Sequence, residues 1–202
     1  MGRFQYLVLL YSLAIVGCTH HVYVDQLDVD YPNLMVSQKV EMPLIFVLEP
    51  DELPDRLIMQ VGTFEEVDIR HVHGFVDFHL VDAFSTYFET IDVIEGDDPR
   101  PADPYIEAHV KLDRLAQRQG RSEMTWSFAL RVSDEDEYTL SFAGTARGGR
   151  GRSPGGESLT AAFSSMFSDA VAGVLETYVD KEVHQALRER QRSGPRLPHI
   201  HR

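Results

Sequence analysis

Two stretches of this chain alternate apolar and polar residues one by one, and they anchor the reading of the rest. In MTWSFALRV, Met124, Trp126, Phe128, Leu130 and Val132 fall on one side, with Thr125, Ser127, Ala129 and Arg131 on the other. Upstream, Ile106, Ala108, Val110 and Leu112 alternate with Glu107, His109, Lys111 and Asp113. Successive strand residues point to opposite faces, so both segments predict antiparallel strands with one face buried and one in water. After the acidic turn Asp134-Glu135-Asp136, Tyr138, Leu140 and Phe142 carry the matching face of a partner strand. PLIFVLE, Pro43 to Glu49, is a short apolar run that suits a fully buried strand, and TIDVIEG, Thr90 to Gly96, reads as a further strand.

Two other segments repeat at helical spacing. From Phe75 to Glu89, Val76, Leu80, Ala83, Phe84, Tyr87 and Phe88 form one stripe, while Asp77, Asp82, Ser85 and Glu89 point elsewhere. From Glu157 to Arg190, the stripe is Phe163, Met166, Phe167, Ala170, Val171, Val174, Tyr178, Val183 and Leu187. Gly173 inside it costs about 1 kcal/mol relative to Ala, which packing can absorb. The expected fold is α+β: one two-layer domain over residues 40–190, with a mainly antiparallel sheet and two helices packed on one face. Residues 18–39, in which acids alternate with apolar residues, read as a tether. Residues 191–202 read as a disordered basic tail.

The first residues follow a different rule. Arg3 gives a positive start, Phe4 to Val16 is mostly apolar, and the small Gly17 precedes Cys18. That is the layout of a signal peptide over residues 1–17, and the apolar run falls short of the roughly 20 residues a spanning helix needs. Ile15-Val16-Gly17-Cys18 resembles the lipobox of bacterial lipoproteins, with an ordinary signal peptide as the alternative. The resemblance implies cleavage before Cys18, a thioether-linked diacylglycerol on its sulfur, and acylation of the new amino group, as by palmitate. At about 0.8 kcal/mol per buried methylene, two or three chains would hold the protein to a membrane stably. Thr19 in place of Asp implies the outer membrane, periplasmic face. A catalytic or zinc thiolate is disfavoured at a cleavage point, and with no second Cys in the chain an intramolecular disulfide is excluded.

Charge narrows the partners. Acidic residues outnumber basic ones 32 to 19 for a net charge of −13, which disfavours nucleic acid. Against that background Arg147, Arg150 and Arg152 are candidate contacts for an anionic partner, because guanidinium forks match phosphate and carboxylate geometry. Arg188, Arg190, Arg192, Arg196 and Arg202 add a second basic concentration near the end. The same loop contains Gly151-Arg152-Ser153-Pro154-Gly155, which matches the G-x-S-x-G nucleophile elbow. That motif draws an oxyanion donor from the N–H after the serine, and Pro154 has none. No phosphate-binding G-K-[ST] is present.

Nine histidines raise a metal question, sharpest for His71, His73 and His79. With no Cys to complete a structural zinc set, the expectation is no metal and no cofactor. Asp51, Glu52 and Asp55 read as solvated turn charges.

The lipobox, small α+β body and long C-terminal helix are broadly similar to small envelope lipoproteins, among them the lipopolysaccharide-assembly accessory lipoprotein and auxiliary lipoproteins of envelope transporters. Beyond Cys18 no residue motif is shared, and the early Trp-containing motif of the assembly lipoprotein is absent. The resemblance implies a non-enzymatic accessory or interaction role in outer-membrane assembly or lipid transport, with a membrane-protein or transporter partner. The alternative is a lipid-anchored binding module for an apolar or phosphorylated ligand. The first would use the exposed sheet face, Glu107, Lys111, Thr125, Ser127 and Arg131, or the Arg loop. The second would need an apolar pocket between helix and sheet.

Overall fold

The structure, a computed structural model, describes residues 18–32, 35–60, 65–102, 104–118, 121–132, 141–147, 156–180 and 182–193. Their strands lie in two sheets. The larger contains β2 (Leu44–Leu48), β5 (Ile91–Glu95), β6 (Ile106–Arg118), β7 (Arg121–Val132) and β8 (Ser141–Arg147), in the order β5-β2-β6-β7-β8. The smaller contains β1 (Cys18–Tyr23), β3 (Arg56–Gln60) and β4 (Glu65–Arg70), in the order β1-β4-β3. A π-helical turn, Phe75–Leu80, runs into the short helix α1 (Val81–Phe84), and α2 (Gly156–Asp180) and α3 (Val183–Ser193) complete the fold. The class is α+β, as the pattern predicts.

The period-two segments fold as strands with the expected faces. Met124, Trp126, Phe128, Leu130 and Val132 of β7 are all buried, as are Ile106, Ala108 and Val110 of β6. A bulge between Leu112 and Arg114 then inserts one residue, which lets Leu115 return to the core side opposite Met124. On that inner face the helical segments meet the sheet through aromatic rings. Phe84 stacks on Phe128 at 5.4 Å and meets Phe46 edge-on at 5.9 Å. Phe75 and Phe167 both contact Trp126, at 4.8 and 5.5 Å. Such pairs add about 0.5–1.5 kcal/mol each beyond the area they bury.

Three expectations need correction and one needs completing. The larger sheet is mixed: β6, β7 and β8 pair antiparallel, as expected, and β2 is parallel to both β5 and β6. Burial on both faces, with all five residues of β2 inaccessible, is the usual condition of such a strand. The segment read as a tether begins with β1, which pairs in parallel with β4, and Val22 and Val24 are buried in the same core as Val67 and Ile69. Farther along that segment, Val40 bridges Phe88 and Gln38 meets α3, so it is fastened at several points. The C-terminal helix is two helices. Glu182, at φ 57°, takes the left-handed conformation that ends helices, and its N–H donates to the Val179 carbonyl at 3.0 Å. Finally, the segment assigned to a tail from residue 191 starts inside α3, which continues to Ser193.

Candidate functional site

The solvent face of the larger sheet carries the charged residues that alternation placed there. Lys111 of β6 and Ser127, Ala129 and Arg131 of β7 line an open groove of about 440 Å³, together with His109 and with Glu49, Asp51 and Glu52 from the end of β2 and the turn beyond. The backbone fixes that turn: Glu52 N–H and Leu53 N–H both donate to the Glu49 carbonyl, at 2.9 and 2.8 Å. The Glu52 carbonyl in turn accepts from Leu112 N–H at 3.0 Å, which pins the acidic wall to β6. Gly96 makes room for Glu49, because a Cβ there would stand 2.2 Å from the carboxylate.

One carboxylate underlies the groove. Glu107 is 5% exposed and is directly opposite Arg131 in the β6–β7 register. It accepts from Arg100 Nε at 3.1 Å and from the Tyr105 hydroxyl at 3.4 Å, and His109 Nε2 lies 3.3 Å from its other oxygen. A buried charge persists only when its lone pairs are taken up in this way. Above it, Lys111 Nζ stands 3.8 Å from Glu52, with both side chains substantially exposed. Such a pair contributes about 0–1 kcal/mol, so Lys111 can exchange Glu52 for a ligand at little cost. Ser127 donates to Asp113 beside it.

A second charged cluster occupies the outer face of the smaller sheet. Asp68, 1% exposed, accepts from Arg56 Nε at 2.7 Å and Arg70 Nε at 2.7 Å, and His21 Nδ1 lies 3.1 Å away. The hydrogen bonds from Arg56 and then Arg70 hold its carboxyl well below the usual range, against the opposing effect of burial. Arg56, Arg70, His71 and Asp55 border a shallow hollow of about 320 Å³. His71 is held at φ 56°, its Nδ1 lies 3.0 Å from Asp25, and its ring meets Tyr23 edge-on.

No family model and no curated protein matches the chain. Solved structures do. A Xanthomonas campestris protein of the DUF330 family superposes with a TM-score of 0.53 at 10% identity, over 83% of this chain and 99% of that one. At that identity the likeness is one of fold. Looser similarities extend to a Caulobacter crescentus protein provisionally named a lipoprotein, with TM-score 0.35, 13% identity, and coverage of 72% of this chain and 88% of that one. The PelC dodecamer from Paraburkholderia phytofirmans gives TM-score 0.35 and 13% identity, over 71% and 91%.

The residues singled out from sequence fare differently. Cys18 opens β1, opposite Glu65 in the register, and the leader before it lies outside the described residues. Arg147 ends β8 opposite Thr125, whereas Arg150, Arg152 and the G-x-S-x-G segment lie outside the described residues. His71, His73 and His79 are not brought to one point. His73 Nε2 hydrogen-bonds the Leu53 carbonyl at 2.7 Å, and His79 Nε2 reaches the Val24 carbonyl at 3.4 Å. Burial lowers the His79 pKa below the usual histidine range. Among the described residues no group of three or more His, Cys, Asp or Glu is placed to hold a metal ion. Among the same residues no helix is long and apolar enough to cross a membrane. Sequence reasoning did not single out Asp68, Arg56 or Arg70. The signal available was an acid two residues before a base in EEVDIR, which becomes informative only when β3 is laid alongside.

Proposed function

We propose that this protein is a lipid-anchored, non-enzymatic accessory component of the bacterial envelope, acylated on Cys18 and facing the periplasm from the outer membrane. In this reading it engages a membrane-protein or transporter partner through the charged face of its larger sheet. The lipobox sequence Ile15-Val16-Gly17-Cys18 supports the anchor. The observation that carries the interaction is the groove: Lys111, Ser127 and Arg131, three residues of the polar strand faces, line one concave surface with Glu49, Asp51 and Glu52. Rows of opposite sign suit a partner bearing both charges and confer register more than raw affinity.

A binding module with an apolar pocket between helix and sheet is the less favoured reading. Phe75, Phe84, Trp126, Phe128, Phe163 and Phe167 are each at most 1% exposed and interlock across that space. The test has two parts. Cys18→Ser should release the protein from the membrane fraction and remove the mass of the acyl groups, and unchanged fractionation and mass would refute the anchor. A photo-crosslinker at Lys111 in the native envelope should trap a discrete membrane-protein partner. A ladder no different from that of a crosslinker at Glu182, which is exposed and remote in sequence from the groove, would refute the groove as the contact face.

A further inference from the structure

We infer that the protein stands upright on its membrane on the anchored end of the three-stranded sheet, with the Arg56–Arg70 row held away from the lipid. The inference rests on the reading of Cys18 as the acylated residue. Its structural basis is that the anchoring position is also the first residue of β1, paired opposite Glu65, so that no free chain separates lipid from fold. The contrast with a tether is large. A flexible linker over residues 18–39 would let the body range about 25 Å from the anchor, at roughly 5–6 Å times the square root of its length. A strand that begins at the anchor allows only the rotation of its own first bonds.

The register then orders the sheet by distance from the bilayer. Because β1 and β4 are parallel and β3 is antiparallel to them, Thr19, Glu66 and Gln60 share the row nearest Cys18, and Tyr23, Arg70 and Arg56 share the far row. Five residue steps at about 3.3 Å place that far row ~17 Å beyond the anchor. This is about twice the ~8 Å screening length of physiological salt, so the guanidinium pair feels little of the anionic surface. The sheet does not drift from this arrangement on its own, since Val22, Met59, Val67 and Ile69 lock it into the core.

The competing arrangement lays the outer face of the sheet flat on the lipid. Among the described residues that face holds Glu66 and the buried Asp68 with its partners Arg56 and Arg70, has Asp55 and Asp25 beside its far end, and offers Ile58, 55% exposed, as its large exposed apolar contact. Laying it flat would desolvate Glu66, Asp55 and Asp25 together with the exposed guanidiniums of Arg56 and Arg70 for one isoleucine, which is unfavourable. Upright, the Arg56–Arg70–His71 hollow faces the periplasmic space.

The orientation can be read with the mature acylated protein in vesicles of phosphatidylethanolamine and phosphatidylglycerol that carry a headgroup nitroxide quencher. A fluorophore is attached to Gln60→Cys in one variant and to Gln26→Cys, just past the far end of β1, in another; both positions are exposed. Quenching at position 60 several-fold stronger than at position 26 is expected. Equal strong quenching at both would overturn the upright arrangement in favour of the flat one, and weak quenching at both would show a tethered body. Cys18→Ser separates the two readings: if it still binds these vesicles as the acylated protein does, the anchor reading fails by itself, whatever the quenching pattern.

Discussion

Arg56 lies directly opposite Arg70 across β3 and β4, a like-charge pairing that a sheet ordinarily avoids. The carboxylate of Asp68, on the same face, accepts from both guanidinium groups and makes the pairing tolerable. Asp68→Asn should therefore lower Tm by several degrees. Adding Arg56→Gln should recover part of the loss, because the repulsion goes with it. The pH dependence has a definite sign: the carboxyl is held below its ordinary value, so its contribution is complete above about pH 4 and is lost as pH falls from there. Thermal melts of the wild type should fall more steeply below pH 4 than those of Asp68→Asn. Parallel curves would show that the carboxylate does not act in this way.

Close packing at a single glycine offers a separate check on how α2 meets the sheet. Gly144 of β8 stands opposite the buried Phe128, and a Cβ there would come within 3.1 Å of the Thr177 methyl on α2. Thr177 is itself held, its hydroxyl donating to the Gly173 carbonyl at 2.6 Å. Gly144→Ala should cost about 1–3 kcal/mol as an overpacking change, measured by urea denaturation. The double variant Gly144→Ala, Thr177→Ser should regain most of it by removing the methyl that is struck. If the two denaturation midpoints coincide, α2 does not approach β8 as closely as described.

The contrast between the two sheets shows where the sequence is readable. β6 and β7 were legible because Trp126, Phe128, Val110 and Ala108 alternate over many residues with one side uniformly apolar. β1, β3 and β4 were not, since CTHHVY, RLIMQ and EEVDIR are short and place charged residues on the outer face, where only a neighbouring strand explains them. The parallel pairing of β2 with β5 and β6 is a long-range property that no local pattern encodes. Nor did Lys181-Glu182 announce a helix break, because the left-handed residue is neither Gly nor Asn. In the groove, alternation identified Lys111, Ser127 and Arg131. The acidic wall of Glu49, Asp51 and Glu52 looked like an ordinary turn until the Leu112–Glu52 hydrogen bond fixed it to β6.

The weakness of the Lys111–Glu52 pair makes Lys111 a clean probe of the groove. Lys111→Ala should change stability by no more than about 0.5 kcal/mol, as befits an exposed substitution. Capture of an envelope partner should nevertheless fall several-fold, with the loss largest at low ionic strength, where charge complementarity acts most strongly. Pull-downs across a salt series, scored beside a chemical melt of the same preparations, provide both readings. Equal capture at every salt concentration would remove Lys111 from the interface.

The docking of α3 should depend on pH through His184. Its Nδ1 lies 3.1 Å from the Tyr178 hydroxyl and its Nε2 lies 3.2 Å from the Gln38 carbonyl. A neutral ring with the proton on Nε2 satisfies both, by donating to the carbonyl and accepting from the phenol. Burial pushes the His184 pKa down; the Gln38 carbonyl opposes this, and Arg188 adds to the lowering. The rings of Tyr87 and Tyr178 pack edge-on against the imidazole, at 5.6 and 5.8 Å. A histidine depressed in this way contributes stability that is complete above its ordinary value near 6.5 and is lost as pH falls below it. Hydrogen exchange in α3, corrected for the intrinsic rate, should therefore accelerate between pH 7.5 and pH 5.5, ranges set by that ordinary value. His79, also depressed by burial, has the same sign but holds the Val24 carbonyl instead of α3. His184→Gln keeps a donor for Gln38 and cannot titrate, so it should flatten the α3 response while the response around Val24 persists. A pH dependence in α3 that survives this substitution unchanged would assign the effect to another group.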